Sequence, residues 1–596
     1  MAVLVHYLLP SCCSLTPRNG IQRACPGSGT QRFGVVQCLA KQQTSNIQDA
    51  NRQLANFKPS SWSYDYLQSL KEYYTHEAFE DRAKELRKEV KSMISNEKTE
   101  FLTTLELIDD IERLGLAYHF EEEIQRALSK CVSLVSNNQT LTETSLHATA
   151  LRFRLFRQHG YEVSQDIFRS FMDQNGSFKE SISEDAKGML SLHEASHLGY
   201  EGEEVVDEAK AFTTKHLKVL RGDSSTINSY LSQRVNHALE IPLHHRIQRL
   251  ETWWFIGAYS KRSDANQLLL DAAKLDFNLA QSTHKSDLKD LARWWKGLGL
   301  AKKLSFSRDR LMESFFWALG MVNGTQYSKQ RKGITKAFYL VTVIDDVYDV
   351  YGTLDELELF TNTVERWDVV SAVNNLPDYM KLCFLALYNA VNETAYDALK
   401  DHGHNNLLYL TKAWADLCKA FLVEAKWSKS KYSPTLEQYL ENAWISVSGV
   451  VLLASYFVLS DNITKQGLES LQSHHNLLRW PCIIFRLTND LATSTAEIQR
   501  GETTNSISCS MRQYGHSEEC ARKYLRDMID ETWKKLNKEI ADHHDDGDSP
   551  FPKHFLDTTV NLARISECQY QYGDGHGDPD QRSEERVLSL IIHPIE

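Results

Sequence analysis

Apolar residues recur at helical spacing along most of the chain. Between residues 62 and 273 the pattern repeats; in residues 103–116 it ends at Gly115, a plain break signal. The densest apolar run of the second half, Phe338-Tyr339-Leu340-Val341-Thr342-Val343, leads straight into Ile344-Asp345-Asp346-Val347-Tyr348-Asp349. On a helix, Asp345 and Asp349 share a face and Asp346 sits beside them. Crowded like charges are tolerable if solvated, or if a hard cation such as Mg²⁺ lies among them. Taken alone, a solvated acidic helix end explains them equally well.

A second polar face follows. Asn489, Thr493 and Glu497 are four apart, so an amide, a hydroxyl and a carboxylate line one side of a helix. Mg²⁺ takes such oxygen ligands and completes its shell with substrate phosphate oxygens. Two such helices facing each other would hold a diphosphate between metal ions. Residues 442–449 place small side chains and a glycine inside a helical stretch, which predicts a kink or a close approach. Thr353 and Glu356 predict a capping box. Asp109 and Asp110 read as a solvated helix face, and residues 541–548 as an exposed loop that resembles a metal cluster by composition alone.

Composition narrows the choices. Only 12 prolines and 27 glycines occur in 596 residues, which suits long helices and an all-α fold. The net charge of -12 argues against a nucleic-acid surface, so an anionic substrate depends on local positive charge. No apolar run reaches the roughly 18–20 residues of a membrane span. The 11 cysteines are scattered without zinc spacing, as in a reducing compartment. Residues 1–50 hold one acid, Asp49, beside Arg18, Arg23, Arg32 and Lys41, with frequent Ser, Thr and Cys. That composition predicts an organellar transit peptide, the alternative being an uncleaved tail.

The spacing Asp-Asp-x-x-Asp, then Asn-Asp-x-x-Thr-x-x-x-Glu, with Arg308-Asp309-Arg310 upstream, resembles a plant class I terpene synthase from about Arg52 to the C-terminus. The resemblance implies two helical domains: residues 51–273, α-barrel-like and without chemistry, and residues 274–596, a catalytic metal-binding bundle. It implies Mg²⁺, with Mn²⁺ as substitute, on Asp345, Asp346, Asp349, Asn489, Thr493 and Glu497. Arg308, Arg310 and Arg486 would clamp the diphosphate with Asp345, Asp349 and Asn489, and Trp295 would line the pocket. Residues 570–577 look like the family's mobile lid. The released diphosphate would be the final base, with Tyr570 assisting. The partner implied is a small prenyl diphosphate, with the chain a monomer or homodimer in the plastid stroma. The tandem arginines of cyclising members are broken here: Arg52 is followed by Gln53.

Spacing also bears on substrate length. Phe338 lies two turns before Asp345, and Phe485 one turn before Asn489. If both metal faces share a cavity, both rings shorten it. Phe338, Ser446, Phe485 and Asn505 together resemble the set associated with isoprene-forming members, which convert dimethylallyl diphosphate. Acyclic ten-carbon products (myrcene, ocimene, linalool) from geranyl diphosphate are the alternative. A prenyl transferase or a non-catalytic helical binding protein is the alternative of another class.

Overall fold

The structure, a computed structural model, describes Arg52 and residues 57–136, 145–222, 228–500, 504–545 and 549–596. Residues 1–50 and Gln53, on which the targeting and cyclisation expectations rest, lie outside the described residues. Leu54–Glu596 forms one compact unit. Among the described residues every extended element is a helix, and the only β-type pairing is an isolated bridge between Met172 and Phe178.

The helices that matter here are α1 (Phe101–Arg113), α2 (Leu146–Gln158), α3 (Ala186–Ser196), α4 (Gln267–Leu298), α5 (Leu311–Met321), α6 (Ser328–Asp346), α7 (Leu407–Ser430), α8 (Leu436–Ser446), α9 (Gly449–Val458), α10 (Asn476–Arg500), α11 (Ser506–Tyr514), α12 (Glu518–Asp545) and α13 (Lys553–Gln569). α1 packs on α2 and α2 on α3 in the first half. In the second half α6 packs against α4, α5 and α9, while α10 packs against α8, α9, α12 and α13. α6 is apolar on nearly all sides from Ile334 to Ile344 and is buried accordingly. One continuous apolar core runs from Leu67 to Ile591, with a satellite around Phe153, Phe168, Met189 and Val206.

The boundary expected at residues 273/274 falls inside α4, a 32-residue helix that starts at Gln267 under an Asn266 cap. Asn266 accepts the amides of Leu268 and Leu269 and so caps the start of that helix.

Asp109 and Asp110 are not solvated. Arg154 holds Asp109 at 2.5 Å, and Arg262 holds both oxygens of Asp110 at 2.9 and 2.8 Å. Burial acts to raise Asp109, yet Arg154, Arg113 and Arg234 hold it below the ordinary carboxylate value. Burial raises Asp110 despite Arg262. The arginines arrive from α2 and from beyond residue 260, which local periodicity does not reveal.

The stretch Leu436–Val458 is long and apolar enough to cross a membrane, but most of it is buried in the fold. It is also interrupted: α8 ends at Ser446, Ser448 has φ +76°, and α9 restarts at Gly449. A Cβ on Gly449 would lie 2.5 Å from Cys482 Sγ, so glycine lets α9 approach α10. This is the kink and close approach that the small residues predicted.

Candidate active site

α6 delivers its aspartates to the mouth of a cavity of about 620 Å³. After Asp346 the helix widens into one π-helical turn, Val347–Tyr351, which carries Asp349. Asp345, Asp346 and Asp349 line the cavity, and so do Asn489, Thr493 and Glu497 from α10. The structure therefore brings the two oxygen-rich faces to one space.

Asp345 and Asp346 differ in exposure. The Asp345 side chain is 28% exposed and meets Arg308 Nη2 at 2.5 Å. The Asp346 side chain is 1% exposed. Its Oδ1 accepts from Arg308 Nε at 2.9 Å, and its Oδ2 from the Arg308 amide at 2.6 Å and the Ser307 hydroxyl at 3.2 Å. Burial, against the pull of Arg308, pushes its carboxyl up to about 6. Asp346 thus anchors Arg308, and Asp345 carries the more open carboxylate. Across the cavity lining, Thr493 donates to Glu497 Oε1 at 2.5 Å.

Arg486 donates three hydrogen bonds, Nε to Ala443 O at 3.2 Å, Nη1 to Asn489 Oδ1 at 3.2 Å and Nη2 to Ser446 Oγ at 3.0 Å, and its Nη1 also lies 3.5 Å from Asp490 Oδ1. Ser446 in turn donates to Glu424 Oε1 at 2.6 Å. Glu424, on α7, also lines the cavity, and burial raises its pKa against Arg486. It was missed in the sequence because a lone acid in a helix gives no signal there.

Three expected pocket residues do not line the cavity. Arg310 is buried; its Nη2 donates to Lys58 O and Gly577 O, both at 2.9 Å, so it staples the segment before the first described helix to the glycine-rich loop. Trp295 donates to Asp309 Oδ1 at 2.7 Å, away from the lining. Asn505 caps α11 through the Ser508 amide at 2.9 Å and donates to Glu497 Oε2 at 3.1 Å, steadying a ligand-type carboxylate. In each case the side chain is engaged by a protein partner and not by the cavity.

Phe338 and Phe485 both line the cavity and are buried. Both rings rest on Trp317 of α5, with centroids 5.0 and 4.6 Å away. Trp317, fully buried, does not itself line the cavity but backs both rings, which spacing alone did not reveal.

The loop after α13 closes another side. Asp574 Oδ1 accepts the amides of His576 and Gly577 at 3.1 and 2.7 Å. A Cβ on Gly577 would sit 2.3 Å from Asp574 Oδ2 and 3.2 Å from Arg308 Nη1, so the loop needs glycine to approach the arginine. Phe57 and Lys58 also line the cavity; the Phe57 ring lies 5.1 Å from the Arg308 guanidinium, and Lys58 pairs with Asp578 at 2.7 Å. His576 Nε2 lies 2.9 Å from Thr342 Oγ1, while its buried Nδ1 has no hydrogen-bond partner. Burial, then Arg308 and Arg310, hold this imidazole well below its ordinary value, so it is neutral. Burial, then Asp574, raise the Tyr570 phenol, which is neutral as well.

The donor set fits Mg²⁺: carboxylates, an amide and a hydroxyl at one mouth, all oxygen, with more negative charge than Arg308 and Arg486 offset.

Family models match two parts of the chain: "Terpene synthase, N-terminal domain" over residues 61–239, and "Terpene synthase family, metal binding domain" over residues 296–535. An isoprene synthase of Populus alba, named chloroplastic, is 56% identical over 91% of this chain and 90% of its own length. A tricyclene synthase of Medicago truncatula, also named chloroplastic, is 54% identical over 92% of this chain and 93% of its own. The crystal structure of isoprene synthase from grey poplar leaves, in complex with three Mg²⁺ ions and dimethylallyl-S-thiolodiphosphate, is 55% identical, has a TM-score of 0.82, and covers 90% of this chain and 99% of that one.

Proposed function

The chain belongs to the terpene synthase family, Mg²⁺-dependent lyases of prenyl diphosphates, and from that premise we propose that its substrate is dimethylallyl diphosphate and its product isoprene. The observation that carries the choice of substrate is the floor: Phe338 and Phe485, both backed by Trp317, close the cavity beneath Asp345 and Asn489. Two phenyl rings on the lining shorten the space below the metal ligands, which favours the shorter hydrocarbon.

In the reaction the C1–O bond breaks and its electron pair leaves with the diphosphate. A methyl group on C3 then loses a proton, and its C–H pair closes the second double bond. Bound Mg²⁺ supplies charge neutralisation to the departing diphosphate. Arg308, held by Asp345 and Asp346, and Arg486, held by Ser446 and Asn489, present fixed guanidinium donors to its oxygens. Asp345, Asp349, Asn489, Thr493 and Glu497 are the residues that would hold the metal. Phe57, Lys58 and the loop at 573–578 keep water from the cation. The released diphosphate can accept the proton, and the neutral His576, with Nδ1 unpartnered, is a second acceptor on the wall.

Among the described residues, every one that lines the cavity except Phe57 and Lys58 follows residue 307, which supports a first half that scaffolds and a second half that reacts. The described lining comes from one chain, which is consistent with a monomer or with either half of a homodimer. We place the enzyme in the plastid stroma, on the composition of residues 1–50 and the chloroplastic relatives.

The test is separate incubation with dimethylallyl and geranyl diphosphate, followed by headspace analysis. Isoprene from the first at the higher kcat/KM is expected. Preference for geranyl diphosphate would replace this reading with that of an acyclic monoterpene synthase.

A further inference from the structure

We propose that His475, Glu539 and His543 form a second cation site, suited to a borderline divalent metal such as Zn²⁺ and separate from the aspartate mouth. The segment read as an exposed loop at 541–548 is helical as far as Asp545, the last residue of α12. Helical winding puts Glu539 and His543 one turn apart on the same face. That face meets the turn before α10, where His475 stands immediately ahead of Asn476.

The three side chains already converge. Glu539 Oε1 lies 3.6 Å from His543 Nε2 and 3.9 Å from His475 Nδ1. The two imidazole centroids are 5.2 Å apart, and one ligand atom from each residue can be chosen so that all lie within 4.8 Å of one another. A tetrahedral ion with bonds of about 2.0–2.2 Å separates its ligands by about 3.4 Å, so only small side-chain shifts are needed. The side chains are between 16 and 25% exposed, enough for entry and for a water as fourth ligand.

Glu539 differs from Glu518, Glu531 and Asp542 of α12, each of which meets a basic side chain on its own helix: Glu518 pairs with Arg522, Glu531 with Lys534 and Asp542 with Lys538. Among the described residues, the ion-pair partners found for Glu539 are the two histidines. Both histidines of the turn are held in place. His475 sets its edge against Phe551 at 5.7 Å and 83°. His474, a non-glycine residue at φ +58°, packs edge-on against Trp444 and lies 3.3 Å from Asp416. His475 Nδ1 takes the Leu477 amide proton at 3.2 Å, a long contact that the ion replaces.

Ligand chemistry sets the metal. Two imidazole nitrogens and one carboxylate oxygen suit Zn²⁺, Co²⁺, Ni²⁺ or Cu²⁺, whereas Mg²⁺ prefers oxygen. The bound ion would tie α12 to the start of α10. Asn489 lies thirteen residues along α10, about 20 Å away, so this site does not touch the diphosphate.

The test is a Co²⁺ titration of the metal-free full chain in excess Mg²⁺, which fills the oxygen site. One equivalent of Co²⁺ with intense visible absorption is expected, displaced by Zn²⁺, together with a Zn²⁺-dependent rise in thermal midpoint. His543→Ala should weaken Co²⁺ binding at least about tenfold, and His475→Ala/His543→Ala should abolish both the absorption and the thermal shift. Both variants should keep Mg²⁺-dependent turnover, which shows that they are folded. Equal Co²⁺ absorption in wild type and the double variant, or its loss in excess Mg²⁺, overturns the proposal.

Discussion

Two aspartate pairs sit near helix ends in the two halves of the molecule, and they are used in opposite ways. Asp109 and Asp110 each have an arginine of their own, Arg154 and Arg262, and do not line the active-site cavity. Asp345 and Asp346 share one arginine, Arg308, and face a cavity that holds a third aspartate and Glu497. In the first half the charges balance internally and the pair contributes structure. In the second half negative charge is left over, and the surplus is what a cation needs. A run of acids therefore does not mark a metal site; a run of acids with too few bases does.

The largest test of this contrast is a matched pair of variants. Asp345→Ala should reduce turnover by about a thousandfold or more while leaving the thermal midpoint unchanged or higher, since it removes an electrostatic partner of the transition state and relieves repulsion. Asp109→Ala should do the reverse: it strands Arg154 in the interior at a cost of about 3–5 kcal/mol, while the folded fraction keeps its kcat. Headspace product rates and denaturant titrations check both. If Asp109→Ala loses kcat and keeps stability, the division between the halves fails.

The floor gives the next largest effect. Phe338→Leu/Phe485→Leu should raise kcat/KM for geranyl relative to dimethylallyl diphosphate by about 10–200-fold. An unchanged preference in a folded double variant would show that the rings do not limit chain length.

Acid should act through the buried neutral histidines of both halves, His284 and His576 in the second as well as those of the first. Burial holds His193 down at about 4, and holds His197 and His244 well below the ordinary value. Unfolded histidine titrates near 6.5, so between there and about 4 the unfolded chain binds more protons. Stability is then present above that window and is lost as pH falls through it, at up to about 1.4 kcal/mol per pH unit for each histidine. His197→Gln should flatten a plot of thermal midpoint against pH; an identical slope would exclude His197 as a source of the acid sensitivity. The smallest effect is expected from removing residues 1–50, which should leave kcat/KM within about twofold.

Much of this was legible in the chain. The apolar wrap of α6 and the four-residue steps of Asn489, Thr493 and Glu497 follow from helical periodicity, and the fold placed both faces on one cavity. What periodicity lacks is the identity of distant partners. Arg310 looked like a phosphate ligand until its guanidinium met Lys58 O and Gly577 O. Asp110 looked solvated until Arg262, 152 residues away, reached it. His543 looked like part of a loop until α12 turned it toward His475. Trp317 offered only an apolar helix, with no sign that two phenyl rings would rest on it.

The interruption between α8 and α9 has an electrostatic meaning. Ser446, Val447 and Ser448 are part of the cavity wall, and α8 ends there. The carbonyl end of a helix carries about half a negative elementary charge, and because α8 ends at Ser446, on the lining, that pole lies beside the cavity, with Arg486 taking one of its carbonyls, Ala443 O. A peptide oxygen attracts a positive charge without yielding a stable adduct, unlike water or a thiolate. The broken helix can therefore cradle a carbocation without quenching it.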